Sequence, residues 1–288
     1  MHSFEQGALK MPSIKKILFP VDFSPQSIGA ARYVEALAGR FQARIQLLHV
    51  VGNGERILAE ELLPSRQRQL DDFLNTELRY FDTEKVCVTG DPAEKIIEAA
   101  DAWQPDLVMM PTHGVGLYRR LLLGSVTAKV LHDLDCPVWT DVHAAAAPLL
   151  ENIHMRRILC AVDLTEQSRS ILDWGAFLAE EYGAKMGIIH AVPAVESAAF
   201  AHYLDEEFVA TIMAEAKGKL AALQSEAGTD AATFVEPGDP AKVIACAAQK
   251  FGADLVIIGR HARAGFSGHL RQNAYSILRE STRPVLSI

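Results

Sequence analysis

Cysteine is scarce in this chain: four in 288 residues, with no CxxC pair among them. Cys87, Cys136, Cys160 and Cys246 stand far apart, and three of them lie inside apolar runs. That usage excludes a disulfide scaffold and predicts reduced, mostly buried thiols in a cytoplasmic protein. No apolar run approaches the ~20 residues that a membrane span needs. Met1–Pro12 contains Glu5 and no hydrophobic stretch, so it reads as a loose arm and not as a signal peptide. Basic charge is not in excess either. The net charge is −8, shared evenly between the halves, which argues against nucleic acid or an anionic membrane as the main partner. No His/Cys/carboxylate group has metal-ligand spacing.

What is present is a repeat. Lys15–Ser27 (KKILFPVDFSPQS) returns at Arg156–Ser168 (RRILCAVDLTEQS), and Ala43–Val51 returns at Ala184–Val192. Gly90–Ala100 (GDPAEKIIEAA) returns at Gly238–Ala248 (GDPAKVIACAA), and Pro105–Gly114 returns at Ala253–Ala262. The order is kept and the spacing nearly so, as duplication requires. The reading is an arm over 1–13, a first domain over 14–142, a linker over 143–155 and a second domain over 156–288. Each half is of ordinary domain size.

Within the first copy, short apolar runs predict strands at Lys16–Val21, Arg44–Val51, Lys85–Thr89, Leu107–Pro111 and Val138–Thr140. Their nearly continuous hydrophobicity is that of parallel strands covered on both faces. Helical patterns lie between them. One opens on Ser24 as N-cap with Pro25 in its first turn, another on Asp91 with Pro92. The β-α-β order predicts two tandem, doubly wound, parallel five-stranded α/β sheets of Rossmann-like type. Such sheets take ligands at the carboxyl ends of the strands, near the switch in strand order.

Two candidate sites fall there. Asp22 follows the first strand. It either hydrogen-bonds a ligand hydroxyl or amine, or it shapes a turn while Ser24 caps the helix; Asp163 repeats it. After the fourth strand, Gly114 and Gly124 flank nine residues, and Ser125 and Thr127 follow in a helical pattern. A Gly-Ser helix start offers unpaired amides and the positive end of a dipole, and phosphate binds such termini. The hydroxyls of Ser125 and Thr127 can add hydrogen bonds. Arg119 and Arg120, inside the loop, read as exposed charges. His49 and His190 read as packed histidines, and His113 and His261 as turn stabilisers.

These strings resemble the universal stress protein family, which carries G-x2-G-x9-G-[ST] after the fourth strand and Asp after the first. Here the motif is Pro111-x2-Gly114-x9-Gly124-Ser125, with proline in place of the first glycine. The resemblance covers both copies and implies an adenine-nucleotide-binding fold with ATP in the first domain. It places Asp22 and the backbone near Val50 at the adenine and ribose. Gly114, Gly124, Ser125, Val126 and Thr127 then cradle the phosphates, and Met110 lines the pocket. Mg²⁺ would arrive with ATP, held mainly by phosphate. Pro111 brings no amide donor, so it removes one contact. In the second copy the positions read Gly259, Ala262, Gln272 and Asn273. No standard triphosphate site is expected there, because Gln272 crowds the helix start. Arg260, His261, Arg263 and Arg271 read as a solvated basic face.

The implied function is a stress-response regulator that uses ATP as a conformational or partner switch. Two other classes stay open at this point: a slow ATPase or nucleotidyl transferase, and a nucleotide-free dimerisation protein. Family members associate through their last strands. Cys136–Thr140 and Arg283–Ile288 are therefore expected to pair within the chain, and a homodimer through edge strands is a further expectation.

Overall fold

A computed structural model describes residues 11–52, 59–112, 123–141, 149–192, 206–260 and 269–288. The first copy runs β1 (Lys16–Pro20), α1 (Pro25–Phe41), β2 (Arg44–Gly52), α2 (Ala59–Asp72), β3 (Thr83–Gly90), α3 (Pro92–Trp103), β4 (Leu107–Pro111), α4 (Ser125–Asp133) and β5 (Val138–Asp141). The second runs β6 (Arg157–Ala161), α5 (Gln167–Tyr182), β7 (Lys185–Val192), α6 (Glu206–Ala227), β8 (Ala232–Pro237), α7 (Pro240–Phe251), β9 (Leu255–Ile258), α8 (His269–Glu280) and β10 (Val285–Ser287).

The local signals work as the residue types require. Ser24 Oγ accepts from Ser27 N at 3.2 Å, and Asp91 Oδ1 accepts from Glu94 N at 3.0 Å. Each cap is followed by a proline in the first turn, where its missing N–H costs nothing. Along β4, Leu107 and Met109 face one core while Val108 and Met110 face the other. A strand sealed on both faces has no room for polar alternation.

The last strands of the two halves pair within the chain, as expected, so the two five-stranded sheets join into one of ten strands, ordered β3-β2-β1-β4-β5-β10-β9-β6-β7-β8. Each half contributes five parallel strands, and the halves meet antiparallel, with Leu286 opposite Trp139. β5 and β10 are therefore interior strands. The sheet's free edges are β3 and β8.

Both faces of the junction are packed. On one, Phe41 of α1 stacks on Phe177 of α5 at 5.4 Å. On the other, Tyr275 of α8 donates to the Ala128 carbonyl of α4 at 3.0 Å. Arg260 closes the same face. It is 3% exposed, and its guanidinium donates to the carbonyls of Leu131 (3.0 Å), Leu134 (3.0 Å) and Cys136 (2.6 Å). These carbonyls lie at and just beyond the end of α4, where the helix dipole favours a cation. Burial pulls the Arg260 pKa down to about 10, still well above neutrality. The solvated basic face expected around Arg260 is thus corrected: this side chain is a staple between halves. His261, Ala262 and Arg263 lie outside the described residues, as do the side chains of Arg271 and Gln272.

The cysteines are free, as read, but only Cys160 is fully buried and Cys246 is exposed. Among the described residues no helix is long and apolar enough to cross a membrane. Replacing Arg260 with Met would strand three carbonyls and is expected to destabilise the chain by about 3 kcal/mol. Urea unfolding checks this. Arg260→Lys should recover only part of the loss, since one ammonium cannot reproduce the planar fork.

Candidate functional site

β1 and β4 are neighbours with crossovers leaving to opposite sides, so the switch point of the first copy lies between their carboxyl ends. Four segments converge there: the turn after β1, the end of β2, the end of β4 and the start of α4.

The turn after β1 is built by Asp22. Its Oδ1 accepts from Ser24 N at 3.0 Å and from Ser27 Oγ at 2.7 Å. This closes an Asx-type turn and holds Phe23 at φ 61°, a left-handed conformation uncommon for a bulky residue. Asp163 does the same in the second copy, accepting from Thr165 N, Thr165 Oγ1 and Ser168 Oγ, with Leu164 also at φ 61°. Of the two sequence readings of Asp22, turn-shaping describes Oδ1.

The strained turn aims the Phe23 ring over the imidazole of His49, with centroids 4.2 Å apart. Sequence reasoning missed Phe23. Its signal was available, since VDF and VDL occupy the same place in the two copies. His49 Nδ1 lies 2.8 Å from the Val21 carbonyl, and His190 makes the same contact to Val162. A carbonyl can only accept, so Nδ1 carries the proton and the neutral tautomer is fixed. Burial lowers the His49 pKa, and nearby Arg66 lowers it further. Both histidines tie β2-type strands to the β1 turn. Val50 is half-buried one residue on, packed against the α3/α4 core.

At the end of β4, Met110 is buried in that same core. Pro111 still pairs in register, opposite Asp141. Its carbonyl accepts from Thr127 Oγ1 at 3.2 Å, which spends that hydroxyl's proton inward. Gly124 N donates to the Thr112 carbonyl at 2.9 Å and closes the base of the intervening loop. Neither group is then a donor for a ligand, which corrects part of the expected cradle. Gly114, His113, Arg119 and Arg120 lie outside the described residues.

The start of α4 keeps its potential. Gly124, not Ser125, is the N-cap, with φ −60° and ψ 144° and no side-chain cap. Any residue adopts those angles, so what glycine contributes there is the missing side chain. The amides of Ser125, Val126 and Thr127 are first-turn donors without intrahelical acceptors. The second copy lacks this arrangement for a reason other than the one expected. α8 begins at His269, so Asn273, the counterpart of Ser125, already lies inside the helix. Its amide is directed back along the helix by the i→i−4 pattern. Gly259, the counterpart of Pro111, lies against Gln167: a Cβ there would meet Gln167 Oε1 at 2.6 Å.

A model of the universal stress protein family matches residues 13–141 and again 154–288. The chain belongs to the universal stress protein family. A universal stress protein of Methanocaldococcus jannaschii is 30% identical over 144 residues, 43% of this chain and 79% of that protein. One from Thermus aquaticus is 30% identical over 131 residues, 43% of this chain and 96% of its own length. Such relatives correspond in size to one copy. Full-length likeness is found among solved structures. A universal stress protein from Archaeoglobus fulgidus has a TM-score of 0.64 at 22% identity, covering 94% of this chain and 97% of its own. A Pseudomonas aeruginosa protein of unknown function has a TM-score of 0.68 at 22% identity, covering 96% and 93%. At that identity the likeness concerns the fold.

The lowered His49 pKa fixes a pH dependence. Well above pH 6.5 the ring is neutral in both folded and unfolded chains, and it contributes no slope. As pH falls through 6.5, the unfolded chain takes up a proton that the folded chain resists, so stability drops. His49→Gln keeps a donor for the Val21 carbonyl. It should lose less stability than wild type between pH 7.5 and 5.5 in paired denaturation series.

Proposed function

We propose that the first half of this universal stress protein binds ATP and serves as a nucleotide-dependent conformational or partner switch. The observation that carries the reading is the start of α4. An uncapped, glycine-led helix terminus stands at the switch point, beside the ends of β1 and β4. Phosphate is what such a terminus accepts best. The donor set fits a polyphosphate: the amides of Ser125, Val126 and Thr127, together with the Ser125 hydroxyl. Val50, on the same face of the sheet as α4, supplies apolar surface for a base. The second half has no helix terminus at the equivalent position, so the stoichiometry is one nucleotide per chain.

In this reading the protein's own groups bind and orient and do not react. Amides and a helix dipole hold charge without supplying a general base or a nucleophile. The regulatory consequence follows from mass action: a ligand that binds one arrangement of the segments around α4 favours that arrangement.

Ser125 offers a clean test. It is the first helical residue, a position where proline is tolerated because its N–H has no intrahelical acceptor. Ser125→Pro removes one amide donor and one hydroxyl while leaving the helix intact. Isothermal titration with ATP should give one site in wild type, and in the variant an affinity lower by roughly tenfold or more, the value of a hydrogen bond to a charged group. Unchanged affinity in a normally folded variant would remove α4 from the site.

A further inference from the structure

The two copies also differ in a place unrelated to nucleotide, the groove between the outer strand and the helix that follows it. In the first copy this space is filled with polar pairs. Gln46 of β2 is 7% exposed and donates to Glu84 of β3 at 3.1 Å. On α3, Lys95 Nζ lies 2.6 Å from Glu98 Oε2. The repeat and the strand register give the counterparts directly. Gln46 becomes Gly187 and Glu84 becomes Ala232. Lys95 becomes Val243 and Glu98 becomes Cys246. All four polar side chains are replaced by small or apolar ones.

The result is a groove of ≈ 700 Å³ between β8 and α7. Phe234, Val243 and Phe251 supply its apolar walls. The Phe251 ring lies directly over Gly187, where a Cβ would meet it at 3.0 Å. Cys246 stands exposed on the α7 wall.

The charges of the groove are unequal at its two ends. α7 runs antiparallel to the strands, so its last turn lies beside the strands' first residues. Arg157 opens β6, Lys185 opens β7 and Lys250 ends α7, which gathers three cations at one mouth. Arg157 is held there by the Phe251 carbonyl at 3.2 Å. The ammonium groups of Lys185 and Lys250 have no partner among the described residues. The other end carries Glu236, Asp239 and Lys242, with Asp239 engaged in capping α7.

From this polarity we infer that the β8–α7 groove binds a soluble amphipathic monoanion, an aliphatic carboxylate, with its chain on Phe234, Val243 and Phe251 and its carboxylate between Lys185 and Lys250. A neutral chain would gain the apolar wall alone, and a cationic one would meet the wrong mouth. The site is independent of the nucleotide site and does not rest on it.

Cys246 is a built-in reporter. Burial pushes the Cys160 thiol up to about 12 and raises that of Cys87, which slows both toward alkylation. The full chain is treated with iodoacetamide, and peptide mass spectrometry reads the rate at each cysteine. Octanoate should slow alkylation of Cys246 by roughly fivefold more than octanol or octylammonium does at equal concentration, the scale of a partly exposed charge contact. Rates at Cys87 and Cys136 should not change. Lys185→Glu combined with Lys250→Glu, both exposed positions, should abolish the preference for octanoate. Equal protection by octanol, or none by octanoate, overturns the inference. So does ligand-free protection that rises with protein concentration, which would assign the groove to a second copy. Protection by anionic phospholipid vesicles and not by octanoate would assign it to a membrane surface, and equally overturns it.

Discussion

The antiparallel meeting of β5 and β10 is the constraint on which the other features depend. A strand edge exposes a row of unpaired amides and carbonyls, and each copy alone would carry one on its fifth strand. Joining the two edges satisfies both and leaves a single sheet with two cores, each continuous across the junction. It also fixes which helices meet: α1 with α5 on one face, α4 with α8 on the other. Arg260 exploits the second contact. Its guanidinium holds the end of α4, while Thr127 ties the start of the same helix to Pro111. The helix that would hold phosphate is thus anchored at both ends, once by its own half and once by the other.

That division of labour explains how the copies have drifted without losing the fold. Arg260 occupies the position of Thr112, directly after the fourth strand. In the first copy this is the base of the connection between β4 and α4, where Thr112 accepts from Gly124 N. In the second it has become a structural contact, and α8 has grown past the point where a terminus would serve a ligand. Gln167, the counterpart of Gln26, lies against Gly259, the counterpart of Pro111, and its amide donates to the Ile288 carbonyl at 3.0 Å.

Much of this was legible in the sequence because it is local. Leu107–Pro111 is β4 to the residue, and the Ser24 and Asp91 caps sit where residue chemistry puts them. The histidines of the second strands are packed, as the apolar runs around them suggest. The missing parts are non-local. Nothing in the residues near Arg260 says that three carbonyls wait 124 to 129 positions away. α2 and α6 gave no firm bounds: Pro64 sits inside the first, and apolar residues are spread around the second. At the site, the type of each residue was readable, but the use of its proton was not. The Thr127 hydroxyl and the Gly124 amide look like ligand donors until their acceptors, Pro111 and Thr112, are seen.

The start of α4 also differs from those of α1, α3, α5 and α7 in a way that bears on its role. α1, α3 and α7 each begin with a side-chain cap, Ser24, Asp91 and Asp239. α5 has none, but its first-turn amide at Ser168 donates to the Thr165 carbonyl at 3.0 Å. The chain therefore satisfies such amides readily where nothing else is asked of them. Glycine in place of a capping Ser or Asp at Gly124 costs only a few tenths of a kcal/mol. A capping oxygen there would occupy the amides that an anion needs. The small loss of helix stability and the retained access are two consequences of one absent side chain.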